Sequence, residues 1–199
     1  DWEGGSSVST YGFCYSTSHN PTTKDNKVLC SSKNFISTLT GLSANTTYYI
    51  RAFATNCKGT AYGRETTIKT NAYSLPTVIT SEVTDITYTT ATCGGNVTAD
   101  GDQNVIERGI CFATIPNPTV SDSKIESGEG IGTFSCKLTN LLGGTKYYLR
   151  AYATNSIGTS YGDNIEFTTT AYTVPTVMIS AIKDITCTTA ICEGNVTDA

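Results

Sequence analysis

Thr145-Lys146-Tyr147-Tyr148-Leu149-Arg150-Ala151-Tyr152-Ala153-Thr154-Asn155 has the Tyr- and Ala-rich, period-two look of a β-strand. It occurs twice, because Thr46-Thr47-Tyr48-Tyr49-Ile50-Arg51-Ala52-Phe53-Ala54-Thr55-Asn56 repeats it about 99 residues upstream. Outward from this pair the matches continue in order. Leu75-Pro76-Thr77-Val78 returns as Val174-Pro175-Thr176-Val177, and Asp85-Ile86-Thr87 as Asp184-Ile185-Thr186. Cys93-Gly94-Gly95-Asn96-Val97-Thr98 returns as Cys192-Glu193-Gly194-Asn195-Val196-Thr197. Gly12-Phe13-Cys14-Tyr15 matches Gly109-Ile110-Cys111-Phe112, and Asn20-Pro21-Thr22 matches Asn117-Pro118-Thr119.

One complete repeat runs from Ser74 to Tyr172. Alternating patterns and turn residues predict seven strands in it, near 76–83, 88–98, 105–114, 123–128, 132–140, 145–156 and 158–169. Seven short strands without a helix read as an all-β, immunoglobulin-like sandwich. Composition agrees: the chain is rich in Thr, with 18 Gly and 12 Tyr, where a helical chain would be rich in Leu, Glu, Lys and Ala. Leu141, Thr145 and Tyr147 keep the spacing of Leu42, Thr46 and Tyr48. A Tyr opening the sixth strand, its hydroxyl returning to nearby backbone, would be a tyrosine corner at Tyr48 and Tyr147. Two ordinary strand tyrosines are the plainer reading.

These motifs resemble tandem fibronectin type III-like repeats, most closely the Cys-bearing kind of secreted and surface proteins in Bacteroidetes-type bacteria. The resemblance covers nearly the whole chain and implies tandem seven-stranded sandwiches in an extracellular or cell-surface setting. It says little of function, since such sandwiches serve as spacers, adhesins and filament subunits alike.

Within that frame the chain divides into residues 1–73, a domain lacking its first two strands, 74–173, a complete domain, and 174–199, two opening strands of a further domain. The first copy supplies strands near 8–17, 26–31, 33–40, 46–57 and 59–70; the C-terminal stretch supplies 175–182 and 187–197. A sandwich without its first two strands exposes core side chains, at ~1.5–3 kcal/mol each, and an unpaired edge. Reading from Cys192 through Ala199 into Asp1 and on to Cys14 reproduces the Cys93…Cys111 passage with a slightly longer loop. The expectation is that 174–199 completes the sandwich begun by 1–70 of a neighbouring copy, giving a head-to-tail polymer. The alternative is an excerpt of one long tandem array.

Eight Cys against a single His read as disulfides in an oxidising compartment. In the fold the resemblance implies, Cys93 and Cys111 lie on opposite sheets, and a bond between them would staple the sandwich; two buried free thiols are the alternative. Cys14 and Cys192 are their counterparts and would pair between copies. Cys30 and Cys57 are expected at one pole as a further pair. Cys136 is placed on a core position and Cys187 at an exposed strand start.

Little else carries chemistry. Net charge is -4, and no basic run or long apolar stretch occurs, which argues against nucleic acid and membrane insertion. No secretory leader is seen at Asp1, so a leader is either removed or lies outside the sequence. Asp100-Gly101-Asp102-Gln103-Asn104 looks acidic, but Val105 stands where a calcium loop needs Gly. His19 is isolated, and no phosphate loop or nucleophile elbow is present. The expectation is no enzyme, no cofactor and no metal. The non-core face of the sixth strand, Tyr49, Arg51 and Phe53 with Tyr148, Arg150 and Tyr152, suits protein or glycan contacts, or ordinary cross-strand pairing. Asn45, Asn96 and Asn195 begin glycosylation triplets common in a Thr-rich chain. The short linker Ala72-Tyr73-Ser74-Leu75 before Pro76 favours a stiff rod. Two functions follow: a subunit of an extracellular filament or adhesive stalk, or a glycan- or protein-binding spacer of a larger secreted protein.

Overall fold

A computed structural model of the chain describes residues 6–198. The chain divides into two compact units, Asp1–Tyr73 and Ser74–Ala199. Among the described residues the regular structure is all strand, in antiparallel sheets.

The first unit is a single sheet. Strands β1 (Thr10–Ser16), β2 (Asn26–Leu29), β3 (Thr47–Asn56) and β4 (Gly59–Tyr62) run in the order β2-β1-β3-β4, and β5 (Thr66–Lys69) pairs with β3. The strand expected near 33–40 does not form. The reason lies in the second unit, where the counterpart of this stretch is an outer strand hydrogen-bonded to a single neighbour. The first unit lacks that neighbour, and alternation alone cannot complete a ladder. Residues 33–40 nevertheless stay near the sheet, with the Phe35 ring 5.7 Å from Tyr11 and 5.0 Å from Phe13.

The second unit contains a closed sandwich. β6 (Thr77–Thr80), β7 (Ala91–Ala99) and β10 (Gly132–Leu138) form one sheet in the order β10-β7-β6. β8 (Glu107–Ala113), β9 (Ser123–Glu126), β11 (Lys146–Asn155) and β12 (Gly158–Tyr161) form the other in the order β12-β11-β8-β9, with β13 (Ile165–Thr168) on β11. Between the sheets lies a core of Val78, Ala91, Cys93, Val97, Ile110, Cys136, Leu138, Tyr147, Leu149, Ala151, Ala153 and Phe167, with Val105 and Leu141 at its ends. No residue of the first unit belongs to it.

The last strand, expected whole over 158–169, is broken into β12 and β13. Ala151 N–H donates to Thr80 Oγ1 (3.0 Å), a β6 side chain, rather than to a strand neighbour. Gly162 passes close by: a Cβ there would meet Thr80 Oγ1 at 2.5 Å. The backbone leaves the ladder where β6 reaches in.

Beyond the sandwich, β14 (Thr176–Lys183) and β15 (Ile191–Asp198) make a two-stranded sheet of their own. Their pairing copies β6 and β7. Val177↔Val196, Met178↔Asn195 and Ile179↔Gly194 repeat Val78↔Val97, Ile79↔Asn96 and Thr80↔Gly95, with the same irregularity one residue earlier. The intervening turn is also kept. Asp85 and Asp184 both take positive φ (50° and 47°), and Thr87 N–H to Thr90 O and Thr186 N–H to Thr189 O both span 2.8 Å.

Candidate functional site: an open sheet face and an unpartnered hairpin

The cysteines take roles other than the expected disulfides. All eight are free thiols. Cys93 points into the core, but Cys111 does not. On β8 the core positions are Ile110 and, partly buried, Phe112, so period-two alternation sends Cys111 to the outer face. There its thiol donates to Pro118 O (3.3 Å) and Arg150 O (3.4 Å). Cys93 and Cys111 therefore project away from each other, and a Cys93–Cys111 bond does not form. Cys14 repeats the arrangement, donating to Pro21 O (3.3 Å) and Arg51 O (3.5 Å). A Cys14–Cys192 bond between copies loses its geometry for the same reason.

Cys30 follows β2, and Cys57 follows β3 in the turn to β4, with β1 between β2 and β3. Two strand spacings, ~9–10 Å, exceed the Cα separation that a disulfide spans. Cys136 lies directly opposite Cys93 across β10 and β7, and both are buried. Cys187 and Cys192 are exposed.

The cysteine under each Asn-Pro turn explains a motif. Asn20 and Asn117 adopt positive φ (57° and 59°), folding the loop back, and Pro21 and Pro118 are fully buried on the outer face. The small thiol fills the space beneath the proline and donates to its carbonyl. Burial pushes the Cys111 thiol up to about 11 and raises that of Cys14, each partly opposed by the nearby Arg150 or Arg51. These side chains pack and donate; they are not poised as nucleophiles.

The proposed contact face is largely spent on its own sheet. Tyr152 is fully buried, and its hydroxyl donates to Glu107 Oε1 (2.6 Å). Phe53, its counterpart, is 3% exposed. Arg150 Nε donates to Gly162 O (2.9 Å) with its guanidinium over Tyr161 (4.7 Å); Arg51 does the same with Gly63 O (3.0 Å) and Tyr62 (4.7 Å). Tyr49 lies 3.8 Å from the ring of His19, whose Nδ1 is 2.8 Å from Glu65. Of the six expected contact residues, Phe53 and Tyr152 are buried and Tyr49, Arg51, Tyr148 and Arg150 are partly exposed. Cross-strand pairing and the folded-back turns account for the pattern.

Tyr48 and Tyr147 each close a corner. Ser43 N–H donates to Tyr48 Oη and Leu142 N–H to Tyr147 Oη, both at 3.0 Å. The geometry is the same in both units. Around Asp100, Asp102 N–H donates to Asp100 Oδ1 (3.0 Å), a local polar turn. Among the described residues no three of His, Cys, Asp and Glu are grouped as metal ligands, and no helix is long and apolar enough to cross a membrane.

What remains without partners is apolar. In the complete sandwich Val78 and Val97 are 8% and 1% exposed; their counterparts on the hairpin, Val177 and Val196, are 71% and 58% exposed. Ile179, Ile182 and Ile191 are also exposed. In the first unit Phe13, Ile50, Ala52 and Leu39 are only half-buried, whereas their counterparts Ile110, Leu149, Ala151 and Leu138 are fully buried. The hairpin repeats the pairing of β6 and β7 with its apolar side chains exposed.

Fold and site together define an all-β chain with one closed immunoglobulin-like sandwich and a first unit that is a single open sheet. No family model and no curated protein matches the chain. Among solved structures it is similar to the FN domains of chicken CNTN1, at 17% identity and a TM-score of 0.40 over 81% of this chain and 56% of that one. It is similar to a multidomain stretch of titin at 15% identity and a TM-score of 0.39, over 80% and 55%. The sensor domain of the anti-sigma factor RsgI4 of Pseudobacteroides cellulosolvens matches at 18% identity and a TM-score of 0.37, over 51% of this chain and 100% of its own length. The chain thus spans little more than half the length of the chicken and titin segments.

Proposed function

We propose that the chain is a non-catalytic structural module of an extracellular or cell-surface assembly, a filament or adhesive stalk of Bacteroidetes type, in which copies join head-to-tail. The hairpin β14-β15 of one copy supplies the two strands that the first unit of the next copy lacks. One observation carries this: the hairpin holds the register of β6-β7, with its core residues exposed, while the first unit has an open face at the place those strands cover. Strand addition of this kind combines main-chain hydrogen bonds with apolar burial. A head-to-tail contact is heterologous, and unless it closes into a ring it propagates as a fibre.

The entry to the second unit is well tied. Ser74 N–H donates to Gly101 O (3.0 Å), and Asn155 Nδ2 donates to Ser74 O (2.8 Å), so the linker's end is tied to the sandwich it enters. A simple spacer within a larger secreted protein is the coarser form of the same reading. Glycan binding finds less support, because the aromatic face is occupied by its own loops.

Sedimentation velocity over a wide concentration range tests the proposal. The intact chain should form species that grow with concentration, and a chain ending at Tyr172 should remain monomeric. An intact chain that stays monomeric throughout would overturn the joint between copies and leave a tandem array within one polypeptide.

A further inference from the structure

Gly194 has no reason to be glycine in its own surroundings. A Cβ built there meets only Met178 O, at 3.4 Å, an ordinary contact. Its φ is not in the left-handed region. Its counterpart Gly95 is different: a Cβ there would lie 2.6 Å from Ala151 Cβ, 2.8 Å from the Ile79 carbonyl oxygen of its own strand pair and 2.9 Å from Phe134 Cζ. Gly95 is small because β11 and β10 close over it. The first unit carries the same two side chains at the matching places, Ala52 for Ala151 and Phe35 for Phe134.

Phe35 is already positioned for this. In the complete sandwich Phe134 lies under Arg108 of β8, at 5.3 Å. Tyr11 stands at the place of Arg108 in the first unit, and it stacks on Phe35. Phe35, Ser37 and Leu39 are half-buried in alternation with the exposed Ile36 and Thr38, the alternation that β10 has at Phe134 to Leu138.

We propose that β15 of a second copy pairs antiparallel with residues 33–39 in the register of β7 with β10. Cys192 then lies opposite Ser37, as Cys93 lies opposite Cys136, and Gly194 is seated against Phe35 and Ala52. This assignment rests on the head-to-tail reading and specifies its docking site. The match is not complete. Glu193 stands where the complete unit has Gly94, and a Cβ at Gly94 would meet the Phe134 carbonyl oxygen at 2.3 Å, so the backbone at Phe35 and Ile36 must stand off from β15 at that position. Thr80, which accepts the Ala151 N–H, is replaced by Ile179, so the Ala52 N–H gains no side-chain partner at this joint. The other side of the site gains apolar cover instead. The half-buried Leu39 would be enclosed by Ala190, as Leu138 is by Ala91.

Two variants of the full chain test the register. With Ser37→Cys, an opposed antiparallel pair has its Cα atoms ~5.5 Å apart, within disulfide reach. In a buffer of oxidised and reduced glutathione, two protein thiols exchange with one molecule of oxidised glutathione, giving one protein disulfide and two glutathione thiols. The expected product is an interchain disulfide joining the introduced thiol of one copy to Cys192 of the next, read by peptide mapping of covalent oligomers. With Gly194→Val, association should weaken at least tenfold, while the chain's secondary structure is unchanged because the free hairpin has room for the side chain. If the unmodified chain associates but Gly194→Val associates equally well and no such link forms, the register is wrong and the head-to-tail reading stands. If the unmodified chain does not associate, the reading itself fails. A link found within a monomer would overturn the second copy as partner.

Discussion

Leu138 and Leu39 occupy the same place in the repeat, yet one is fully buried and the other half-exposed. The same split runs through Leu149 and Ile50, and through Ala151 and Ala52. At the outer-face cysteines and prolines and at the tyrosine corners no such split exists. Cys111 and Cys14 hold the same two kinds of carbonyl, Pro118 and Pro21 are equally buried, and Tyr147 and Tyr48 close the same corner. The comparison separates two layers of design. The Cys-Pro seat, the Arg–Tyr stack and the tyrosine corner belong to the larger sheet and persist without the smaller one. The apolar core belongs to closure and is lost with β6 and β7.

The largest difference should appear on truncating the core leucines. Leu138→Ala should cost the complete unit ~2–5 kcal/mol, the range for a buried leucine leaving a cavity. Leu39→Ala in dilute, unassociated chain should cost under ~1 kcal/mol, because little of that side chain's surroundings is closed. Denaturant unfolding followed by unit-resolved hydrogen exchange reads both. Equal losses would mean that the first unit is closed in solution.

Alkaline pH gives the next contrast. Burial pushes the Cys93 thiol up to about 12 and Cys111 to about 11, and raises Cys136. In the unfolded chain a thiol titrates near 9, so the stabilisation from keeping these groups neutral is whole below pH 9. It falls as pH rises from there through the folded values, by up to ~1.4 kcal/mol per pH unit for Cys93. The first unit has only Cys14 so placed, with Ser37 where the complete unit has Cys136. Melting of the complete unit should therefore fall more steeply between about pH 9 and 11. A parallel decline in both units would contradict the difference in their cores.

The smallest effects should be equal. Tyr147→Phe and Tyr48→Phe each remove one hydroxyl acceptor from a backbone N–H, at ~1 kcal/mol. Both hydroxyls accept the same backbone bond at the same length and both rings are equally buried, so the two losses should match when each unit's unfolding is followed separately. A loss confined to Tyr147→Phe would make the corner a product of closure.

Much of this was legible in the sequence. The repeat placed the strands, and the spacing from Leu141 to Tyr147 marked the corner. The repeat also marked residues 176–198 as the counterpart of β6 and β7, the pairing the hairpin keeps. Three features were not legible. Cys111 was read toward the core although its neighbours Ile110 and Phe112 fix the opposite face; an apolar run hides which of two alternating sets is inside. Residues 33–40 alternate like a strand, but a ladder needs a neighbour that local pattern cannot supply. Tyr152 looked open because the side chains that meet it, Glu107 and Lys124, come from other strands of the sheet.

The most direct measurement is amide hydrogen exchange at residues 33–39 as chain concentration rises. In dilute solution these amides should exchange fast, as in an unpaired segment, while those of Gly132–Leu138 are protected. As copies associate, protection at 33–39 should rise toward that of Gly132–Leu138, together with protection in β15. Fast exchange at 33–39 in associated chains would contradict strand complementation, as would slow exchange that is already complete in the monomer.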